Sequence, residues 1–449
     1  MFGRWSAAFA LIGVLTACPE GPKPTDIVAD VTTDTGGRTA LLGGLAMTYR
    51  VEGADRWVLS TEPLFRPPPP APDAAGDATS SEDADAGPVA EPTLMVEAVV
   101  LPAYLYGVPW TEFAAEETPQ QLPGAWVSAL HEARDTIAAL GKPVVLALSP
   151  LSLEWDNLAP LASDDGSGGL KLEENWLQDY CHDPAKSANP TKWRVAYGRY
   201  AKWMTELVKP AMVIVGSRLN LYEANCGEAY EAIVGFATEA HEVVKGLSDA
   251  PTTIVSVDVE DLYGYPRIPG RCPSTPAKEC FATRQALLAN LKADRLGLES
   301  YPARALTSKL AEIPDDWLVT VAEARSDLPP VIAGTGLPAV RLETVSGTCV
   351  PLLESSDTLQ VAWLDQVLAT ATTYKMDLAV WNSPVNRANA ARVSACLCSG
   401  DATLCGHLAQ LGAKSDSVRL RLVEGLFAQD GSAYQAGLLW TQVLGLDAN

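Results

Sequence analysis

The stretch Met212-Val-Ile-Val-Gly-Ser-Arg-Leu-Asn-Leu-Tyr-Glu223 carries a short apolar run that opens at once into Ser217, Arg218, Asn220, Tyr222 and Glu223. Pro210 and Gly216 bound the run, the pattern of a strand covered on both faces. In a parallel β/α barrel the carboxyl ends of the strands carry the ligand site, so these polar groups would face it. Two further runs end in acids, Leu296-Gly-Leu-Glu299 and Leu318-Val-Thr-Val-Ala-Glu323. A pair of carboxylates at one mouth supplies a general acid with a base or nucleophile. Rings follow the apolar runs as well: Tyr104, Tyr106 and Trp110, then Tyr222, Tyr263, Tyr265, Tyr301 and Trp381. Flat rings beside Arg218, Asn220 and Asn382 suit a polyhydroxylated ligand, with the hydroxyls bonded to the polar groups. The four histidines form neither a Ser-His-Asp order nor a His-x-x-x-His pair.

The elements that would position these groups alternate along the chain. Strands are expected at Leu41–Tyr49, Leu94–Leu101, Pro143–Leu148, Met212–Val215, Thr252–Asp258, Arg295–Glu299, Trp317–Ala322 and Asp377–Trp381. Helical spacing fills Trp126–Leu140, Trp193–Val208, Gly227–Lys245, Phe281–Lys292, Ala305–Ile313 and Leu359–Tyr374, with Tyr197, Tyr200 and Trp203 read as packing. Eight strands with intervening helices specify an α/β fold, a TIM (β/α)8 barrel with long strand-end loops. A doubly wound sheet is the competing solution, and no Gly-rich phosphate loop supports it. Val331–Ala333 is a rival for strand seven. The excursion Ser149–Pro190 holds Glu154 and Asp156 beside Trp155, a further pair of candidate acids, and Asp164-Asp-Gly-Ser-Gly-Gly169, whose spacing fails a calcium loop.

At these strand ends the chain resembles the clan A glycoside hydrolases, and most loosely the endo-β-1,4-galactanases. The resemblance covers roughly Leu94 to Trp440. It implies an acid/base glutamate after strand four and a nucleophile glutamate at strand seven, about 5 Å apart. The family's Gly-Asn-Glu-x-Asn corresponds to Gly216-Ser-Arg218-Leu-Asn220, so Arg218 stands at the acid/base position. Its Glu-Thr-Gly corresponds to Glu323-Ala-Arg if strand seven is Trp317–Ala322. With Val331–Ala333 as strand seven, Thr335-Gly336 matches and Gly334 stands where the glutamate belongs; the longer strand, which keeps the carboxylate, is preferred. Leu296-Gly-Leu-Glu299-Ser-Tyr-Pro302 looks like the family's Gly-x-x-x-Tyr-Pro, and Trp381 resembles the tryptophan that floors the sugar subsite. An arginine does not exchange protons near neutral pH, so Arg218 protonates no leaving group. The resemblance therefore implies a catalytically degenerate barrel that binds poly- or oligosaccharide through Arg218, Asn220, Tyr222, Tyr301, Trp381, Asn382 and Tyr104. The alternatives are an active glycosidase using Glu323 with a relocated acid, Glu299 or Glu223, and a structural envelope protein. No cofactor or metal is implied.

Charge and export complete the reading. A net charge of -22 over 449 residues argues against nucleic acid as a partner. Residues 1–18 read as a lipoprotein signal: Arg4, an apolar run from Ala7 to Leu15, then Leu15-Thr-Ala-Cys18, which looks like a bacterial lipobox with lipidation at Cys18. Residues 19–37 read as a flexible tether, 38–449 as the barrel, and 67–92 as a disordered acidic Pro/Ala/Asp insertion. These features place the protein in the bacterial cell envelope, outside the cytoplasm and at the outer membrane, anchored through lipid. Of the nine cysteines, eight remain beyond Cys18, an even number that favours disulfides in an oxidising compartment. Cys272 with Cys280 and Cys181 with Cys226 are the favoured pairs. Cys396, Cys398, Cys405 and His407 lack the paired C-x-x-C spacing of a zinc site.

Overall fold

The computed structural model describes residues 97–153, 155–174, 176–177, 190–265, 272, 276–305, 316–339, 356–382, 426 and 434–443, with strand segments at 42–46, 48–52, 56–60, 65–66 and 93–94. The barrel strands are β1 (Leu42–Ala46), β2 (Ala98–Pro102), β3 (Val144–Ala147), β4 (Met212–Gly216), β5 (Thr252–Asp258), β6 (Arg295–Ser300), β7 (Pro330–Thr335) and β8 (Leu378–Trp381). All pair in parallel, and β1 bonds both β8 and β2, which closes the cylinder. The helices are α1 (Trp110–Ala115), α2 (Gly124–Ala138), α3 (Pro190–Val208), α4 (Asn220–Cys226), α5 (Tyr230–Lys245), α6 (Val259–Leu262), α7 (Ala277–Arg284), α8 (Trp317–Ala324), α9 (Asp357–Thr373) and α10 (Gln435–Val443).

Period-two alternation along the strands separates two cores. Ala98, Val100, Val145, Ala147, Met212, Ile214, Ile254, Val331, Ala333, Leu378 and Val380 fill the inside of the barrel. Their alternates, such as Val99, Leu146, Val213, Val255, Leu298 and Ile332, pack outward with the helices. Inside, β6 contributes Gly297, where a Cβ would lie 2.8 Å from those of Ala333 and Ser256 and 2.9 Å from Ile254. The inward positions of β5 then run Ile254, Ser256, Asp258 and those of β6 Gly297, Glu299. Apolar filling thus gives way to polar groups toward the carboxyl ends. At the opposite end, Asp294 accepts from the Thr253 backbone N–H (2.8 Å) and from Lys245 (3.1 Å), and the Thr253 hydroxyl meets His241 Nδ1 at 2.7 Å. Burial holds the His241 imidazole below its ordinary pKa.

Three segments depart from the sequence expectation. Trp317–Ala322 is helical, within α8, because Trp317, Leu318, Val321 and Ala322 are buried while Val319 and Thr320 are only half-buried. That is a helical stripe; a short apolar run by itself does not separate the two periods. Strand seven is Pro330–Thr335, the rival, paired with β6 and β8. The expected first strand, Leu41–Tyr49, divides into β1 and a hairpin strand, Thr48–Glu52, antiparallel to Arg56–Ser60. The expected helix Ala305–Ile313, the leader and tether, the 67–92 insertion, Cys181, Glu154 and the Cys396–His407 group lie outside the described residues.

The long excursion after β3 holds a hairpin, Leu161–Asp164 with Leu170–Glu173, which serves as a support. Asp164 accepts from the backbone N–H groups of Gly124 and Ala125, both at 3.0 Å, and so satisfies the free amides at the start of α2. Asp165 turns on itself: Ser167 Oγ (2.8 Å), Ser167 N–H (2.7 Å) and Gly169 N–H (2.8 Å) all donate to it, which lowers its pKa. Cys272 and Cys280 form a disulfide at the start of α7, and Cys226 is disulfide-bonded to a partner outside the described residues.

The Gly297 position generates the first prediction. Gly297→Ala forces a methyl into a filled barrel interior and should cost about 1–3 kcal/mol, read as a lowered denaturation midpoint with unchanged m-value.

Candidate functional site

The polar layer closes around Arg218. It follows β4 by two residues, has a left-handed backbone with φ 52°, and is 2% exposed. Its backbone N–H donates to Ser256 Oγ at 2.9 Å, which fixes the turn against β5. Its Nε and Nη2 both donate to Asp258 Oδ2, at 3.0 and 2.5 Å. Nε also lies 3.9 Å from Glu299 Oε2. The guanidinium is held between two rings, with its carbon 4.2 Å from the centroid of Trp155 and 5.3 Å from that of Tyr301. Such cation–ring contacts contribute about 0.5–2 kcal/mol each when desolvated. Burial works to lower the arginine pKa, but the charges of Asp258 and then Glu299 override it and raise the value further. Arg218 is a permanent cation here.

Glu299 is saturated from several sides. Ser217 Oγ (2.8 Å) and Ser256 Oγ (2.5 Å) donate to Oε1, and the Tyr301 hydroxyl donates to Oε2 at 3.4 Å. Next to it stands Gly334, at the end of β7. A Cβ built there would collide with the Tyr301 hydroxyl and meet Glu299 Oε2 at 3.3 Å. The space beyond β7 is therefore filled by a tyrosine and a carboxylate that reach it from β6. Glu260 holds that arrangement from α6, accepting from the Ser300 hydroxyl at 2.8 Å and from the Tyr301 backbone N–H.

The remaining predicted residues are dispersed. With strand seven relocated to Pro330–Thr335, the place at which the sequence resemblance expects a glutamate passes from Glu323 to Gly334. Glu323 lies on the exposed side of α8 and accepts from the Tyr374 hydroxyl at 2.9 Å. Glu223 lies on α4 and pairs with Arg284 at 2.8 Å; the same guanidinium nitrogen holds Asp261 at 2.8 Å. Asn220 stitches β4 to β5: its amide donates to Asp258 O (2.9 Å) and Asp261 Oδ2 (2.8 Å), and its oxygen accepts from Asp258 N–H (2.7 Å). Tyr222 and Trp381 are buried in the outer core, at 0% exposure. The strand alternation explains Trp381, since Leu378 and Val380 take the inward positions. Asn382 is half-buried and its backbone N–H donates to Thr335 O at 2.7 Å. Tyr104 is half-buried against the inner core, Tyr106 and Trp110 lie in the outer one, and Tyr301 stays at the centre. Asp156 is engaged locally, accepting from Ser152 Oγ at 2.9 Å.

Sequence reasoning placed Ser217 at the mouth but did not single out Asp258 or Ser256, and treated Trp155 only as a neighbour of acids. The signal for Asp258 and Ser256 was present, since both fall on the inward alternation of Thr252–Asp258. Nothing in the spacing pairs Trp155 with Arg218, because the contact spans two separate loops.

Among solved structures the chain is similar to the GH53 catalytic domain from Ignisphaera aggregans, at 12% identity and a TM-score of 0.43, covering 77% of this chain and 84% of that one. It is similar to a fungal β-1,4-galactanase at 14% identity and a TM-score of 0.40, covering 70% and 82%. Xylanase 10C from Cellvibrio japonicus aligns at 8% identity with a TM-score of 0.47, covering 90% of this chain and 67% of the other. No protein-family model matches the sequence, and neither does any curated protein.

As the mouth stands, a cation sits beyond β4, Gly334 offers no side chain near the end of β7, and Glu299 and Glu223 are engaged by donors or a cation. Such a site can bind and orient, with a guanidinium rather than a carboxyl group beyond β4. The dependence of Arg218 on its anion is measurable. Asp258→Ala strands a buried guanidinium and should lower stability by about 3–5 kcal/mol in chemical denaturation.

Proposed function

We propose that the chain is a non-hydrolytic, glycosidase-like barrel that binds poly- or oligosaccharide at its mouth and is anchored in the bacterial envelope by lipid on Cys18. One observation supports this reading: at the two strand ends where the clan A resemblance puts the catalytic carboxylates stand Arg218 and Gly334, and the room at Gly334 is already taken by Tyr301 and Glu299. An active glycosidase with a relocated acid would require Glu299 or Glu223 to trade protons. Glu299 sits among Ser217, Ser256, Tyr301 and Arg218, and Glu223 faces Arg284. Ligand binding is supported by the aromatic and amide groups near the mouth, namely Tyr301, Trp155, half-buried Tyr104 and Asn382.

A second reading, a structural envelope protein with no ligand, is favoured by the depth of the centre, where Arg218 is 2%, Glu299 5% and Tyr301 1% exposed. A glycan array on the full chain in detergent separates the two, with each hit rechecked for reducing-sugar release. The expected result is binding without release. Release of sugar would overturn the non-hydrolytic reading, and silence on every glycan would leave the structural one standing. The anchor is tested separately: Cys18→Ala should abolish metabolic palmitate labelling and release the protein from the membrane fraction. Retention of label in that variant would refute lipidation at Cys18.

A further inference from the structure

Arg218 has one donor that the ion pair does not use. Nε and Nη2 are occupied by Asp258, whereas Nη1 is buried and has no hydrogen-bond partner among the described residues. A buried donor left unsatisfied costs about 1–3 kcal/mol, so it calls for an explanation in function rather than in stability. The rings of Trp155 and Tyr301 both lie against the guanidinium, and Asp258 takes one edge of it. Of the two rings, Tyr301 is tied at both ends, by its backbone N–H to Glu260 and by its hydroxyl to Glu299. Trp155 is the outer one, 8% exposed, on a loop where it holds a left-handed φ of 52°, an uncommon conformation for a bulky residue.

The charges around this donor restrict what it can take. Asp258 already neutralises Arg218, and Glu299 adds a second carboxylate at 3.9 Å. A third anion would meet two buried carboxylates for one cation, whereas a hydroxyl or ring oxygen takes the N–H without adding charge. We infer that Arg218 Nη1 is the ligand donor of the mouth, that the Trp155 indole covers it, and that its acceptor is an oxygen of an uncharged saccharide. This rests on the saccharide-binding reading and adds the ligand class and the route of entry.

The test is a titration of the full chain in detergent with a panel of neutral oligosaccharides and matched uronate-containing ones, followed by isothermal calorimetry and tryptophan fluorescence. Neutral members bind and change the tryptophan emission, and uronates do not bind. Arg218→Lys keeps a cation for Asp258 but removes the second donor edge, and weakens neutral binding by about tenfold to a hundredfold. Trp155→Ala uncovers the donor and raises the association rate severalfold. Asp258→Asn removes one anion and admits the uronates. Thermal melts confirm that each variant is folded, and Trp155→Ala, at the periphery, serves if the central ones are not. Uronate binding by the unaltered protein, or neutral binding indifferent to both Arg218→Lys and Trp155→Ala, overturns the inference and leaves the saccharide reading intact. Absence of any binding, with Trp155→Ala equally silent, removes that reading and the inference with it.

Discussion

The ion pair between Arg218 and Asp258 is the constraint on which the mouth of the barrel depends. A guanidinium taken out of water must be matched at close range, and the match here is made on one carboxylate oxygen at 2.5 and 3.0 Å. The other groups at the centre can be ordered by their relation to this pair. Ser256 fixes the arginine backbone, Tyr301 and Trp155 cover its faces, and Glu299 stands behind it with two serines. A buried pair of this kind contributes little net stability, since desolvation offsets the attraction. Its effect is on conformation: the turn after β4 has one arrangement that leaves no charge alone.

Around that centre a second ring of polar contacts keeps the strand ends in register. Asn220 on α4 bridges to the backbone of Asp258, and Arg284 on α7 gathers Asp261 and Glu223. Asn220 and Glu223 of α4, Asp261 of α6 and Arg284 of α7 are therefore spent on one another. This explains why several groups that follow β4 in sequence do not reach the mouth, although they sit close to it along the chain. The helix that starts at Asn220 turns Tyr222 into the outer core within a single turn.

Much of the architecture was legible because parallel strands buried on both faces read as apolar runs, and those of β3 to β6 and β8 were marked by such runs. The exchange of strand seven has a specific cause. Trp317-Leu-Val-Thr-Val-Ala is richer in β-branched residues than a short helix needs, while Val331-Ile-Ala is clipped by Pro330 and Gly334 and looked too short. Only neighbours on both sides, β6 and β8, decide between them. The site was legible at Arg218, since one residue at a strand end is a local fact. It was not legible at Gly334, because the neighbours of strand seven and its shifted register decide which residue ends there, nor at Trp155, whose contact with Arg218 joins two loops.

The glycine that ends β7 has one more consequence, for the history open to this chain. A carboxylate cannot be placed there by a single exchange, because the Tyr301 hydroxyl crowds the place of its first carbon and Glu299 stands just beyond. Moving that tyrosine uncovers one face of Arg218, and converting Arg218 to an acid leaves Asp258 and Glu299 facing a third anion. Each step toward carboxylates at these two places is unfavourable until the others have been taken, so the arrangement of the mouth resists change one residue at a time.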